Sequence, residues 1–240
     1  MSDLFRVRVI GMTKPMVLDL PDPESLMVYQ ARVSNPANQK KMTAGEKVIS
    51  NEKFVASCKA RGEWSVFQMV NINLEIIGPR DITRQFTRHE SMLVIEHDDG
   101  ELTFQPDGID KHAGGVQEFS QRYARAPGFV KRQCRMNDPT DKQSSIVNDE
   151  FDEEHQDFNR LVSDNIAEIY EARLNDGEAK ETARVILPEG LTLSHLYVNA
   201  TVRSWLHYLD AREKHATQKE HRDLAYAIRN ALHGVMPLLF

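Results

Sequence analysis

Two stretches of this sequence concentrate groups that can do chemistry: "ITRQFTRHES" at 82–91 and "VQEFSQRYARA" at 116–126. Arg88 and His89 stand side by side, and a guanidinium fork matches the oxygens of a phosphate or pyrophosphate. In "QEFSQRY", a strand period places Glu118, Ser120 and Arg122 on one face, with Gln117, Phe119 and Gln121 opposite. A carboxylate for a hydroxyl, a hydroxyl for phosphate or base and a guanidinium for phosphate together suit a nucleotide. The competing reading is an edge strand with a Glu118–Arg122 ion pair. In the late stretch "RSWLHYLDAR" (203–212), Arg203, His207 and Asp210 share one helical stripe, opposite the apolar one. Arg212, nine positions beyond Arg203, lies about 180° round the helix and serves another pocket or the helix end.

Two other chemistries are set aside. His97 and His112 lie among Asp98, Asp99 and Asp110, but without metal-ligand spacing they read as a solvated loop, and no metal is expected. A hydrolase nucleophile at Ser91 or Ser120 would need an elbow such as GxSxG, which is absent.

The elements that must position these groups follow from periodicity. "FRVRVIGM" (5–12) alternates as a strand, and "PDPESLMVYQARVS" (21–34) reads as a helix entered through Pro23. Residues 44–61 keep helical period up to Gly62. "VFQMVNINLEII" (66–77) reads as a strand broken at Gly78-Pro79, after which Asp81 can cap a short helix carrying Gln85 and Arg88. The segment 95–115 reads as a hairpin-like surface excursion, and 127–149 as a loop. Phe158, Leu161, Val162, Ile166, Ile169, Tyr170 and Leu174 set out a long helix ended by Gly177. A short helix leads into "ARVILP", a helix is expected over 198–212, and Thr217 with Glu220 forms a TxxE capping box for the last one. One α+β domain over 1–240 is expected.

With 240 residues, 40% hydrophobic and 28% charged, the chain has the profile of a soluble globular protein. No run approaches the roughly 18 apolar residues of a membrane span. "MSDLFRVRVIGM" lacks the layout of a signal peptide, and Cys58 and Cys134 form no CxxC, so a reducing cytoplasm is expected. The net charge of -6 argues against a general nucleic-acid binder but leaves room for a local basic pocket.

Taken together, "YQARVSN", "EWSVFQMVNINLEI", "RQFTRH", "QEFSQRY", "DKQSS", "ARVILP" and "RSWLHYLDAREKHATQKEHRDLA" resemble, in order, the flavin-dependent thymidylate synthases of the ThyX family, whose signature runs R-H-R-x-x-S-x-N-E-x-S-x-R-Y. The resemblance implies a mixed sheet flanked by long helices and a homotetramer with FAD between subunits. It also implies reductive methylation of dUMP to dTMP, with NADPH and methylenetetrahydrofolate as co-substrates. Arg88, His89, Arg203 and His207 would hold FAD, with Ser34 and Ser65 as minor contacts. Gln85, Glu118, Ser120, Gln121, Arg122 and Arg184 would bind dUMP, Arg184 from a neighbouring subunit. Arg212 would face the uracil carbonyl, and Arg212 and Ser120 form the catalytic set.

The departures are specific. Glu90 replaces the second arginine of RHR, and the signature serine falls on Leu93 or Gly115. Residues 90–116 separate His89 from Gln117, far more than the compact signature carries, which marks about 92–115 as an insertion loop. Glu63, Val66 and Gln68 replace the histidine, proline and acid of the family's W-S-P-F-E region. A carboxylate for a cation beside an anionic cofactor forfeits about 2–4 kcal/mol unless Lys111, His112 or Arg125 compensates. Alternatives to the synthase are a flavin-dependent hydroxymethylase of dUMP or dCMP and a catalytically silent nucleotide-binding paralogue. The "QEFSQRYA" and "TQKEHR" variants are phage-like, which would make the location a host cytoplasm.

Overall fold

The computed structural model describes residues 4–16, 20–46, 48–88 and 115–240 in full, and the backbone alone at 92–96 and 102–106. Its strands are β1 (Arg6–Met12), β2 (Asn71–Pro79), β3 (Met92–Glu96), β4 (Leu102–Pro106), β5 (Gly115–Glu118), β6 (Met136–Asn137), β7 (Ser145–Ile146) and β8 (Leu193–Thr201). Its helices are α1 (Pro23–Ala31), α2 (Pro36–Thr43), α3 (Asn51–Arg61), α4 (Arg80–Thr87), α5 (Asp149–Asn175), α6 (Lys180–Ala183), α7 (Val202–Arg212) and α8 (Lys219–His233).

The main sheet runs β1-β2-β8-β5. Alternation decides its inner face: Ile72, Leu74 and Ile76 of β2 and Leu196, Val198 and Ala200 of β8 are all buried. Val55 and Cys58 of α3, Trp205 and Leu209 of α7, and Leu224 and Ile228 of α8 join them in one core. The other face is polar. There Glu75, only 3% exposed, accepts from the Arg8 guanidinium, from His195 Nε2 at 3.0 Å and from Tyr197 Oη at 3.3 Å. The bond from Arg8, more than any other group, holds the Glu75 carboxyl below the usual carboxylate range. Gly78 is required by close approach, since a Cβ there would stand 2.3 Å from the Phe5 ring.

The α+β class stands, with three corrections of detail. The sheet expected to be mixed is antiparallel in each of its pairings, because no βαβ crossover joins its strands. Residues 193–201, partly assigned to a helix, are the strand β8, which pairs with β2 on one side and β5 on the other. The helix begins only at Val202, where the Thr201 hydroxyl accepts the Ser204 amide at 3.1 Å. The 44–61 helix starts at Asn51 with Ser50 as its cap, and a separate α2, capped by Asn35, precedes it. Gly62, at φ 70°, ends α3 as expected. Residues 64–68 form a 3-10 turn before β2 rather than its first part.

The excursion expected at 95–115 overlaps a hairpin, β3 against β4, that already begins at Met92. On α5, Tyr170 is buried, but Phe158, Leu161, Val162 and Ile169 are 67%, 60%, 43% and 52% exposed. That apolar stripe has no cover among the described residues. No helix among the described residues is long and apolar enough to cross a membrane.

Candidate functional site

β2 ends at Pro79 and α4 starts at once, with the Arg80 amide donating to the Thr192 carbonyl at 2.9 Å, just before β8. Asp81, Arg84, Gln85, Thr87, Arg88, Glu118 and Glu189 line a cleft of about 540 Å³ there. Three of these were expected from sequence: Gln85, Arg88 and Glu118. Arg88, at the C-terminal end of α4, is exposed, and its side chain has no hydrogen-bond or ion-pair partner among the described residues. Glu118 is held from behind by the Ser194 hydroxyl at 2.8 Å, and Arg80 Nη1 stands 3.7 Å away. Burial pulls the Arg80 pKa down, and the charge of Glu118 opposes that shift. Arg84 pairs with Glu189 at 2.8 Å across the rim.

Strand pairing stops at Glu118, so Ser120 and Arg122 do not share a strand face as the period predicted. Instead the amides of Tyr123 and Ala124 both donate to Ser120 O, closing a turn. The turn buries Gln121 (5% exposed), whose Nε2 has no partner among the described residues, and exposes Arg122. Arg122 pairs with the Glu181 carboxylate at 3.6 Å, and Arg184 Nε donates to the Glu181 carbonyl at 3.2 Å. The Glu118–Arg122 ion pair of the competing reading is absent: each has another partner. Ser120, Gln121, Arg122 and Arg184 thus gather in one region of one chain.

A second cleft, about 680 Å³, is lined by residues that include Ser34 and Ser65 together with Arg32, Asn35, Asn38, Arg61 and Glu63. Arg61 and Glu63 form a bidentate pair at 2.7 and 2.9 Å, so the acid found where the family has histidine is already engaged by a cation. That bond lowers the Glu63 pKa, while burial first, and then Glu63, push the Cys58 thiol up to about 11. On α7, His207 packs edge-on against Trp64 at 4.7 Å. Asp210 is exposed and pairs with Lys214 at 3.3 Å. Arg203, expected on an exposed stripe with Asp210, is 8% exposed, because α7 is wrapped by β8, α8 and the 64–68 turn. Arg212 Nε is buried and has no hydrogen-bond partner among the described residues.

His89, Glu90, Lys111, His112 and the other excursion side chains lie outside the described residues. Among the described residues, no group of three or more His, Cys, Asp and Glu could hold a metal ion. Sequence reasoning missed Arg80, Arg132 and the inward turn of Glu220. The Thr217–Glu220 spacing suggested a capping box, but Glu220 accepts from Arg135 Nη1 at 2.6 Å instead, and α8 has no side-chain cap. The donors present suit a dinucleotide: Arg88 is a cation without a carboxylate, Arg212 carries an unpartnered buried N–H, and Ser34 and Ser65 line a roomy polar cleft.

The family model described as "Thymidylate synthase complementing protein" matches residues 16–238. A flavin-dependent thymidylate synthase from Synechocystis sp. is 36% identical over 93% of this chain and 92% of its own length. The chain belongs to the flavin-dependent thymidylate synthase family. A probable flavin-dependent thymidylate synthase of Paramecium bursaria Chlorella virus 1 is 33% identical over 92% of this chain and 91% of its own. The fold also matches a UMP/dUMP methylase from Streptomyces cacaoi, solved with 5-Br dUMP, with TM-score 0.72 at 19% identity over 98% of this chain and 92% of that one. Of the residues that match the family's signature, Arg88 and Glu118 line the α4 cleft and Ser120 and Arg122 lie in the 120–123 turn, while Arg203, His207 and Arg212 are carried by α7.

Proposed function

We propose that this thymidylate synthase converts dUMP to dTMP by reductive methylation, with FAD as cofactor and NADPH and methylenetetrahydrofolate as co-substrates. The observation that carries this reading is the α4 cleft, where Gln85, Glu118 and a partnerless Arg88 converge in a chain of this family. Bound flavin supplies the hydride that reduces the transferred one-carbon unit. Arg88, Arg203, His207, Ser34 and Ser65 hold it, together with His89. Arg88 is available to a phosphate because no carboxylate among the described residues pairs with it.

Glu118 accepts a sugar hydroxyl, fixed for that task by Ser194. Ser120, Gln121, Arg122 and Arg184 receive the phosphate side of dUMP, with Arg122 exchanging Glu181 for the ligand. Arg212 places a cation opposite the uracil carbonyl and stabilises negative charge as it builds on the ring. Its Nε is already desolvated, so no reorganisation is needed. The exposed stripe of α5 is covered by further copies in a homotetramer, through which Arg184 reaches the neighbouring subunit's nucleotide. The segment about 92–115 is an insertion within one domain, and the protein works in the cytoplasm.

The test is an absorbance spectrum of the purified protein with FAD, then with dUMP, followed by product analysis with all co-substrates. A band near roughly 450 nm that shifts on adding dUMP, and dTMP as product, are expected. A colourless protein that still binds dUMP would remove the flavin from the reading, and a hydroxymethylated product would replace the methyl transfer.

A further inference from the structure

Gln85 reaches the α4 cleft with one end of its amide already committed. Its Nε2 donates to Gln218 Oε1 at 3.0 Å, and Gln218 Nε2 donates to Glu220 Oε2 at 2.9 Å. Glu220 closes the chain. It is 3% exposed, receives Arg135 Nη1 at 2.6 Å on one oxygen and faces Arg132 Nη2 at 3.6 Å on the other. A carboxylate so placed can only accept, so the Gln218 end that meets it must be the NH₂ group. The other end, the oxygen, then faces Gln85, and it can be met only by the Gln85 NH₂. One buried charge therefore orders two amides in succession and leaves Gln85 Oε1 as that side chain's acceptor for the cleft.

Burial alone would drive the Glu220 carboxyl up, yet Arg135, its own backbone amide and the charge of Arg132 outweigh it and bring it to about 2. The ordering group thus keeps its charge at any working pH. One of these cations also braces the helix that bears Gln85: Arg132 Nη1 donates to Asp81 Oδ2 at 2.7 Å, one turn before Gln85 on α4.

We propose that Gln218 and Glu220 are positioning residues for the nucleotide site, fixing the Gln85 amide so that it presents Oε1 and receives an N–H or O–H donor of the pyrimidine nucleotide. This rests on the reading of Gln85 as a dUMP contact. Gln218 itself is exposed and touches neither core nor cofactor cleft, so it can be changed without unfolding the chain.

Titration of the FAD-loaded protein with dUMP tests the relay. Gln218→Leu removes both bonds and is expected to raise the dUMP Kd about tenfold while flavin content and Tm stay at wild-type values. Gln218→Glu puts a second carboxyl against Glu220. Its Kd, relative to wild type at the same pH, should be high near pH 8 and fall back towards wild type near about pH 5.5, as the new carboxyl takes up a proton and donates it to Glu220. A role in holding α4 to α8 alone would instead lower Tm and leave that ratio flat. If wild type binds dUMP and both variants match it at every pH, the relay is overturned. If wild type itself fails to bind dUMP, the nucleotide-site reading falls first and takes the relay with it.

Discussion

Arg212 lies one helical turn beyond Tyr208 on α7, and its charge acts on the buried phenol. Burial drives the Tyr208 pKa up, and the Arg212 guanidinium pulls the other way. An arginine whose Nε is shielded from water and unpartnered is poised to act on a ligand rather than on its own chain. Arg212→Ala should lower kcat by about 10²–10³-fold while bound flavin remains. Loss of flavin absorbance together with activity would contradict its assignment to the base.

The proposed FAD contacts Arg88 and Arg203 differ in burial, the first exposed and the second 8% exposed. Arg88→Ala should weaken FAD and leave Tm unchanged, because the side chain is exposed and partnerless. Arg203→Ala should weaken FAD and also cost about 1–3 kcal/mol of stability, because the residue is buried. Flavin titration beside thermal unfolding separates the two, and unchanged FAD affinity in either variant would remove that residue from the cofactor site.

The proposed homotetramer predicts that a Phe158→Glu/Leu161→Glu double variant on α5 gives a smaller species than wild type, read by light scattering. Charges on a stripe that other copies cover carry a desolvation cost that an exposed helix face does not. Turnover should fall with the mass. An unchanged mass would mean that this stripe is not the assembly surface.

Glu220 gives the fold a signature in acid. Its folded pKa, about 2, lies below the unfolded value of about 4.3. Its contribution is therefore complete above about pH 5 and is lost as the pH falls through 4 towards 2. The stability gap between wild type and Glu220→Gln in urea should shrink over that window. A gap that stays constant between pH 5 and 3 would show that the Arg132 and Arg135 contacts do not stabilise the charge.

Short-range signals were legible in the sequence and long-range ones were not. Gly62 and Pro79 marked their boundaries correctly because backbone geometry at those residues is local. Gln85, Arg88 and Glu118 could be grouped because the family signature records their order. β8 was missed because Val198 and Val202 fit a helical stripe equally well, and only pairing with β2 on one side and β5 on the other decides for the strand. Glu220 was misread for a related reason: Thr217-x-x-Glu220 is a valid local capping pattern, but Arg132 and Arg135, more than eighty residues earlier, outcompete the helix end for the carboxylate. The exposure of Phe158 and Leu161 could not be read either, because helical spacing shows which residues share a face and not what covers it.

The place of β8 in the sheet also sets a timetable for how the protein is made. Its neighbours β2 and β5 leave the ribosome well before it, and β1 pairs with β2 across a gap from Arg6 to Ile77. At about 5–20 residues per second, β2 waits on the order of 10 s for its partner. Until then the β8-facing edge of β2 is unpaired, and the apolar face of Ile72, Leu74 and Ile76 lacks the cover that β8, α7 and α8 later give it. The sheet can close only after Leu193–Thr201 has been made, so the growing polypeptide exposes apolar surface that the folded protein buries.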